Sequence, residues 1–296
     1  MPGEFDFIDW VRRQQSSSKT VLQPAGDDLA ILKWSADDLL LVGVDQVLDG
    51  VHFDSSVHEP QAIGRKAMNR NLSDCAAMAC LPAAAVISFA LPHGVGVDFA
   101  KQLYQGIRQA GDKFDCPIIG GDTGSWNGKL AITITILGKS AGIEPVCRSR
   151  AKIGDQIYVT GPLGGSILRR NMEFEPRIHL ARQLAKNFRI TAMIDLSDGI
   201  SRDLPDICKG GTVGAVIHAN AVPIHADVSK LPDHADPLSH ALHDGEDYEL
   251  LFTSPDHIPP NLATPIGQIT DGNAVEIEIS NGQRLPLQAK GWEHPL

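Results

Sequence analysis

The chain reads as an α/β protein whose mixed strands and helices fall into two domains. Three observations lead there. Short runs rich in β-branched residues, such as LAITITIL at 130–137, alternate with longer segments whose apolar residues recur at helical spacing. The alternation breaks between Gly138 and Arg150, where Gly142 and Pro145 interrupt the periodicity, and then resumes. A length of 296 residues supports two cores. The expected domains are therefore 1–138 and 139–296.

In chain order, 39–44 is an apolar run read as a buried strand that ends at Asp45. Residues 61–79 predict a helix with Ile63, Ala67, Leu72, Ala76 and Ala79 near one face. Asp74 rides on that helix among Cys75, Ala76 and Ala77, a crowded site suited to close approach of a ligand or a packed neighbour. A buried strand at 83–90 follows, then a helix at 97–114 striped by Leu103, Ile107, Ala110 and Phe114. Residues 116–119 form a brief strand opening into Gly120-Gly121-Asp122. The second half predicts a strand at 156–160, a glycine turn at 161–165 and a helix near 176–187. After these come a strand ending at Asp195, a helix from Gly199, and strands near 213–218 and 248–253.

Composition narrows the function classes. With 26 basic against 36 acidic residues the formal charge is −10, which argues against a nucleic-acid groove. The five cysteines are odd in number and contain no CxxC, so neither a disulfide framework nor a zinc site is indicated, and a cytoplasmic location is expected. The opening MPGEFDFIDW carries acids and no apolar core, unlike a signal peptide. The uncharged stretch between Asp74 and Asp98 is interrupted by Pro82, Pro92, Gly94 and Gly96, so no membrane span is expected.

The chemistry sits in the aspartates. Asp27-Asp28, Asp45, Asp74, Asp122 and the pair Asp195/Asp198 mostly follow a glycine or an apolar run, where a chain leaves a strand or enters a helix. Two carboxylates about 4 Å apart at an effective dielectric near 20 repel by roughly 4 kcal/mol, so gathering them requires cations. Oxygen ligands without histidine or thiolate favour magnesium, which usually arrives with phosphates. Asp195 and Asp198, three apart, are placed to face one metal or phosphate; the competing reading is an N-cap of the next helix. Gly120-Gly121 offers unhindered backbone to a phosphate whose magnesium Asp122 would hold. No Walker P-loop, GxGxxG, GxSxG or HExxH is present. Glu246 precedes an apolar strand and reads as a solvated edge on spacing alone, and Trp292 as a core plug or an aromatic lid.

Taken together, GEFDFI, GDDLAIL, VDQVLDGVHF, KAMNRNLSDCAAMACLP, IIGGDT, RSRAKIGDQIYVTG, MIDLSDGISRDL, GEDYELLFT and GWEH resemble, in order and over nearly the whole chain, the thiamine-monophosphate kinase family. That family lies in the superfamily of aminoimidazole ribonucleotide synthetase and selenophosphate synthetase. The resemblance implies that fold, with an N-terminal sheet pairing across a homodimer. It also implies direct transfer of the ATP γ-phosphoryl group to thiamine monophosphate. By motif, Asp28, Asp45, Asp74, Asp122, Asp195 and Asp198 would hold several magnesium ions. Gly121, Ser197 and Arg148 would contact ATP phosphates, with Arg148 steadying the transferring group. His52, Glu246 and Trp292 would bind the thiamine moiety. The chain departs from the family at Val44, at Gly124, and between Gly165 and Pro176, where most of a helix is missing. The competing expectations are another ATP-dependent enzyme of the superfamily, a metal-dependent phosphohydrolase, and a metal-stabilised binding protein without turnover.

Overall fold

The computed structural model describes residues 20–23, 27–35, 37–233 and 235–291. GEFDFI and Trp292 lie outside them. The first sheet comprises β1 (Val21–Gln23), β2 (Ala30–Lys33), β3 (Leu39–Leu48), β4 (Leu81–Pro92), β5 (Ile118–Trp126) and β6 (Ala131–Lys139). Their order is β1-β2-β3-β6-β4-β5. Only β4 and β5 run parallel, a pairing that needs a crossover rather than a tight turn. Between β3 and β5 lie two helices: α1 (Pro60–Ala77) enters β4, and α2 (Val97–Asp112) makes that crossover.

One face of this sheet is packed and the other is half open. Along β6, Ile132, Ile134 and Ile136 are buried while Thr133 and Thr135 between them are only partly covered. Helix α1 lies under the packed face. Pro60 starts it, at a position where the missing N–H costs nothing. It meets α2 at very short range through glycines on both helices. A Cβ at Gly64 would fall 2.1 Å from the Leu103 carbonyl oxygen, and one at Gly106 would fall 2.1 Å from that of Gln61.

The second sheet comprises β7 (Gln156–Val159), β8 (Ala192–Asp195), β9 (Gly214–His218), β10 (Leu250–Ser254), β11 (Thr264–Thr270), β12 (Val275–Glu278) and β13 (Arg284–Pro286). Its order is β13-β12-β9-β11-β7-β10-β8, antiparallel except for β12 beside β9. Around it lie α3 (Arg170–Glu173), α4 (Ile178–Asn187), α5 (Ile200–Gly211) and α6 (Pro237–His243). The larger core does not stop at either sheet: Leu72 and Ile136 belong to one apolar cluster with Ile178, Leu184 and Phe252. A second cluster around Ile157, Ile194, Leu204 and Ile217 is confined to the second half. Helix α1 is therefore buried nearly all round, with buried residues on every side of it.

Several elements differ from the sequence expectation. Strand β3 continues through Asp45 to Leu48, and β5 continues through Gly120-Gly121-Asp122 to Trp126. Pairing with neighbouring strands carries both past residues whose own preference is for turns. The segment after β6 is pinned rather than loose, because Arg182 donates to the carbonyls of Ala79, Ser140 and Ala141. Strands β1, β2 and β11–β13 have no counterpart in the expected elements. The short segment after Gly165 holds a 3-10 turn, Ser166–Leu168, and the single turn α3. Among the described residues no helix is long and apolar enough to cross a membrane.

Candidate functional site

A helix buried on all sides must satisfy its polar side chains internally, and α1 carries several. Lys66, Arg70 and Asp74 are spaced by four and so share one face, each about 6 Å further along the axis than the last. Lys66 is fully buried; its Nζ lies 2.7 Å from Glu246 Oε1 and donates to the His52 carbonyl oxygen at 2.6 Å. Arg70 Nε donates to Asp45 Oδ2 at 3.0 Å, and its Nη1 lies 3.9 Å from Glu246 Oε1. Ser73, beside Asp74, donates its hydroxyl to Asp195 Oδ2. None of the expectations above names Lys66 or Arg70. Their signal is present in the sequence as two cations set at four-residue steps before Asp74 on a helix of small residues.

At the far end of this face three carboxylates converge. Asp28, Asp74 and Asp195 each present an oxygen within 4.8 Å of the other two. Asp28 stands just before β2, Asp74 on α1, and Asp195 closes β8. Burial, and then the charges of Asp45, Asp195 and Asp28, push the Asp74 carboxyl well above its ordinary range. Burial and Asp28 push Asp195 up to about 7. Proton uptake is how such a group relieves itself when no cation is bound. The donor set is all oxygen, hard and anionic, and it fits magnesium rather than zinc.

Arg148 supports this group from one side. Its Nε and Nη2 hold Asp28 at 3.1 and 2.6 Å, Nη1 reaches Asp206 at 3.0 Å, and its backbone N–H donates to Asp27. The resemblance puts Arg148 on ATP phosphates. In the structure its fork is turned to Asp28 and Asp206 and holds both carboxylates.

At the near end lies a cavity of about 160 Å³ lined by His52, Arg70, Ser197, Asp198, Asp244 and Glu246, with Val51 and Ile167 as its apolar wall. Burial alone would raise the Glu246 carboxyl, but Lys66, Asn171 and Arg70 hold it below its ordinary value. Asn171, on α3, donates to Glu246 Oε2 at 2.8 Å, so the shortened segment still reaches the site. Glu246 and Tyr248 both adopt left-handed backbone (φ 52°), a strained conformation that non-glycine residues keep only where surrounding contacts enforce it. Tyr248 stacks on Phe174 with ring centroids 3.8 Å apart, and the Asn69 amide holds the Phe174 carbonyl.

The Asp195/Asp198 pair is divided. Asp195 joins the carboxylate group, whereas Asp198 lines the cavity. Asp195 is the last residue of β8 and the chain from Leu196 to Asp198 is not helical, α5 starting only at Ile200, so the two aspartates are not on one helical turn. Nor is either Ser197 or Asp198 the N-cap; that position is Gly199, with no side-chain cap. The final described residue, Gly291, passes close to this turn: a Cβ there would fall 2.1 Å from the Asp198 carbonyl oxygen.

Asp122 is also set apart. Across the first sheet, Asp45, Ile134, Ile87 and Gly121 form one row, and Gln46, Thr133, Ser88 and Asp122 form the next. Ile134 and Ile87 are buried, so the row with Asp45 faces the packed side. Adjacent rows face opposite sides, and Asp122 lies exposed on the open face of edge strand β5. Within one chain it does not join Asp28, Asp74 and Asp195. Gly121 is required where it stands, since a Cβ would fall 2.0 Å from the Ile87 carbonyl oxygen.

The two-sheet fold belongs to a class: residues 26–140 match the family model of the AIR synthase related proteins, N-terminal domain. Whole-chain comparison is narrower. A thiamine-monophosphate kinase of Rhodopirellula baltica is 39% identical over 258 residues, covering 84% of this chain and 81% of its own. One from Synechococcus elongatus is 33% identical over 302 residues, covering 91% and 90%. The chain belongs to the thiamine-monophosphate kinase family. Its backbone superposes on AaThiL complexed with AMPPCP and TMP with a TM-score of 0.87 at 29% identity, covering 99% of this chain and 97% of that one.

Proposed function

We propose that the chain transfers the γ-phosphoryl group of ATP directly to the phosphate of thiamine monophosphate, giving ADP and thiamine diphosphate. Family membership supports the reaction, and the likeness to a relative complexed with AMPPCP, an ATP analogue, and TMP supports the substrates. One observation in the molecule carries the reading furthest. Helix α1 runs from Lys66, whose partner Glu246 lines an acid-rich cavity, to the carboxylate group at Asp74.

In this reading Asp28, Asp74 and Asp195 hold magnesium, joined by Asp45 from its place beside Arg70 and by Asp198 from the cavity side. Magnesium held there would supply positive charge against the phosphate oxygens of the substrates. Ser197 and Gly121 offer polar backbone and hydroxyl groups to ATP phosphates, and Arg148 keeps Asp28 in position. Glu246 and His52 bind the thiamine moiety, with Trp292 as their partner from the sequence motif. Glu246 is suited to this because Lys66 and Asn171 keep it ionised and fixed, ready to accept from an aminopyrimidine. No general base is needed. The attacking group is already an anionic phosphate oxygen, which forms the new P–O bond as the bond to ADP breaks.

A homodimer belongs to the same reading, supported by the open face of the first sheet, where Val44 on β3 and Ile119 on β5 are 61% and 62% exposed. Asp122 lies on that open face, so its part in the chemistry is tied to what packs there. A cytoplasmic site of action is consistent with five cysteines that are all free.

Chromatography of a reaction containing magnesium, ATP and thiamine monophosphate tests the proposal. Equimolar ADP and thiamine diphosphate are expected, with neither formed when one substrate or the metal is omitted. Phosphate release from ATP without an acceptor would instead identify a hydrolase.

A further inference from the structure

The acceptor must present its phosphate to the carboxylate end of α1 while its organic part sits in the cavity at the Glu246 end. Whatever lies between these ends meets that phosphate. Arg70 occupies the midpoint, one helical step from Lys66 and one from Asp74. Its guanidinium is placed between Asp45 at 3.0 Å and Glu246 at 3.9 Å, and it lines the cavity.

The charge around the cavity sharpens the point. Three of its lining residues, Asp198, Asp244 and Glu246, are acids, which repel an entering phosphate monoester. Lys66 is wholly buried behind Glu246 and does not line the cavity. Among the lining residues Arg70 alone carries a permanent positive charge, on a planar fork that matches phosphate oxygens.

Resting on the function proposed above, we infer that Arg70 binds the phosphate of the acceptor and makes the site select a phosphorylated acceptor over the free alcohol. In the structure its charge is shared by Asp45 and Glu246. Once the acceptor is seated, the phosphate takes a place in that set, and Asp45 is released toward the metal group.

Calorimetric titration with thiamine monophosphate and with unphosphorylated thiamine, each in magnesium and a non-hydrolysable ATP analogue, separates this role from a structural one. For Arg70→Gln the affinity for thiamine monophosphate should fall about 10- to 100-fold, the worth of a charge-assisted contact. Affinity for thiamine should stay within about threefold, so the preference for the phosphorylated form collapses. Arg70→Lys, which keeps the charge but not the fork, should retain part of that preference. Equal losses for both ligands, or an unchanged preference in either variant, would overturn the assignment. Wild-type protein that binds neither ligand would overturn the functional reading itself, and the role of Arg70 with it.

Discussion

Lys66 and Glu246, 180 positions apart in the chain, form an ion pair of 2.7 Å in which the lysine is fully buried and the glutamate one-quarter exposed. The pair ties α1 to the turn before β10 and so fixes the cavity to the helix that also carries Asp74. Because Lys66 also holds the His52 carbonyl, one ammonium group positions both of the described residues proposed to bind the thiamine moiety.

Breaking that pair from either side leaves a buried charge. Lys66→Met should cost about 3 kcal/mol, the lower end for a broken buried pair because Glu246 reaches solvent and keeps Asn171. Chemical denaturation checks the loss. Adding Glu246→Gln to Lys66→Met should recover part of it, so the double variant is more stable than the two single losses predict. Strict additivity would show that the pair is not coupled.

The carboxylate group sets a pH dependence whose sign is fixed. Asp195 has a folded pKa of about 7, raised from the ordinary 3.8 first by burial and then by Asp28. Between these values the folded state holds more protons than the unfolded one. In metal-free protein this group's contribution to stability is therefore greatest below about pH 4 and is lost as pH rises toward 7. Asp247, raised to about 7 mainly by burial, acts in the same direction. Magnesium binds the deprotonated form, so the rise in melting temperature it produces should be larger at pH 8 than at pH 5.5. A magnesium effect independent of pH would contradict the cluster as its site.

Removing one carboxylate gives a complementary result. Asp195→Asn relieves repulsion in the metal-free protein, which should melt no lower than wild type despite losing a bond from Ser73. The same variant should lose most of the magnesium-induced stabilisation and nearly all turnover. Full retention of the magnesium effect would remove Asp195 from the group.

Asp122 should behave differently because it lies on the other face of the sheet. Asp122→Asn is expected to change stability by less than about 0.5 kcal/mol, as for an exposed position, and to leave magnesium stabilisation of the nucleotide-free protein unchanged. Magnesium–ATP affinity and turnover should nonetheless fall. Near-normal turnover at ordinary magnesium would exclude Asp122 from the site.

Much of this was legible in the chain and some was not, for physical reasons. Helix α1, strand β8 and the start of α5 near Gly199 follow from apolar spacing and a glycine, signals that tertiary contacts reinforce. The extension of β5 through Gly120-Gly121-Asp122 is opposed by local preference and imposed by pairing with β4. Strand β11 contains Pro265 and Gly267, which hide it from any pattern of β-branched residues, and its register slips at that point. The convergence of Asp28, Asp74 and Asp195 was readable in part, because aspartates set beside glycines and apolar runs are conspicuous. The division of Asp195 from Asp198 and the outward face of Asp122 depend on backbone angles and sheet register that spacing does not specify. Lys66 and Arg70 escaped attention because a cation on a helix is usually solvated; only the burial of α1 makes them informative.

Transfer of isotopic label tests the central claim most directly. With ATP labelled at the γ-phosphorus, magnesium and thiamine monophosphate, the account predicts that the label appears in thiamine diphosphate, one label per ADP formed. Label should sit on the terminal phosphoryl group, with none retained on the protein. Label recovered as inorganic phosphate while thiamine monophosphate is unchanged would contradict it.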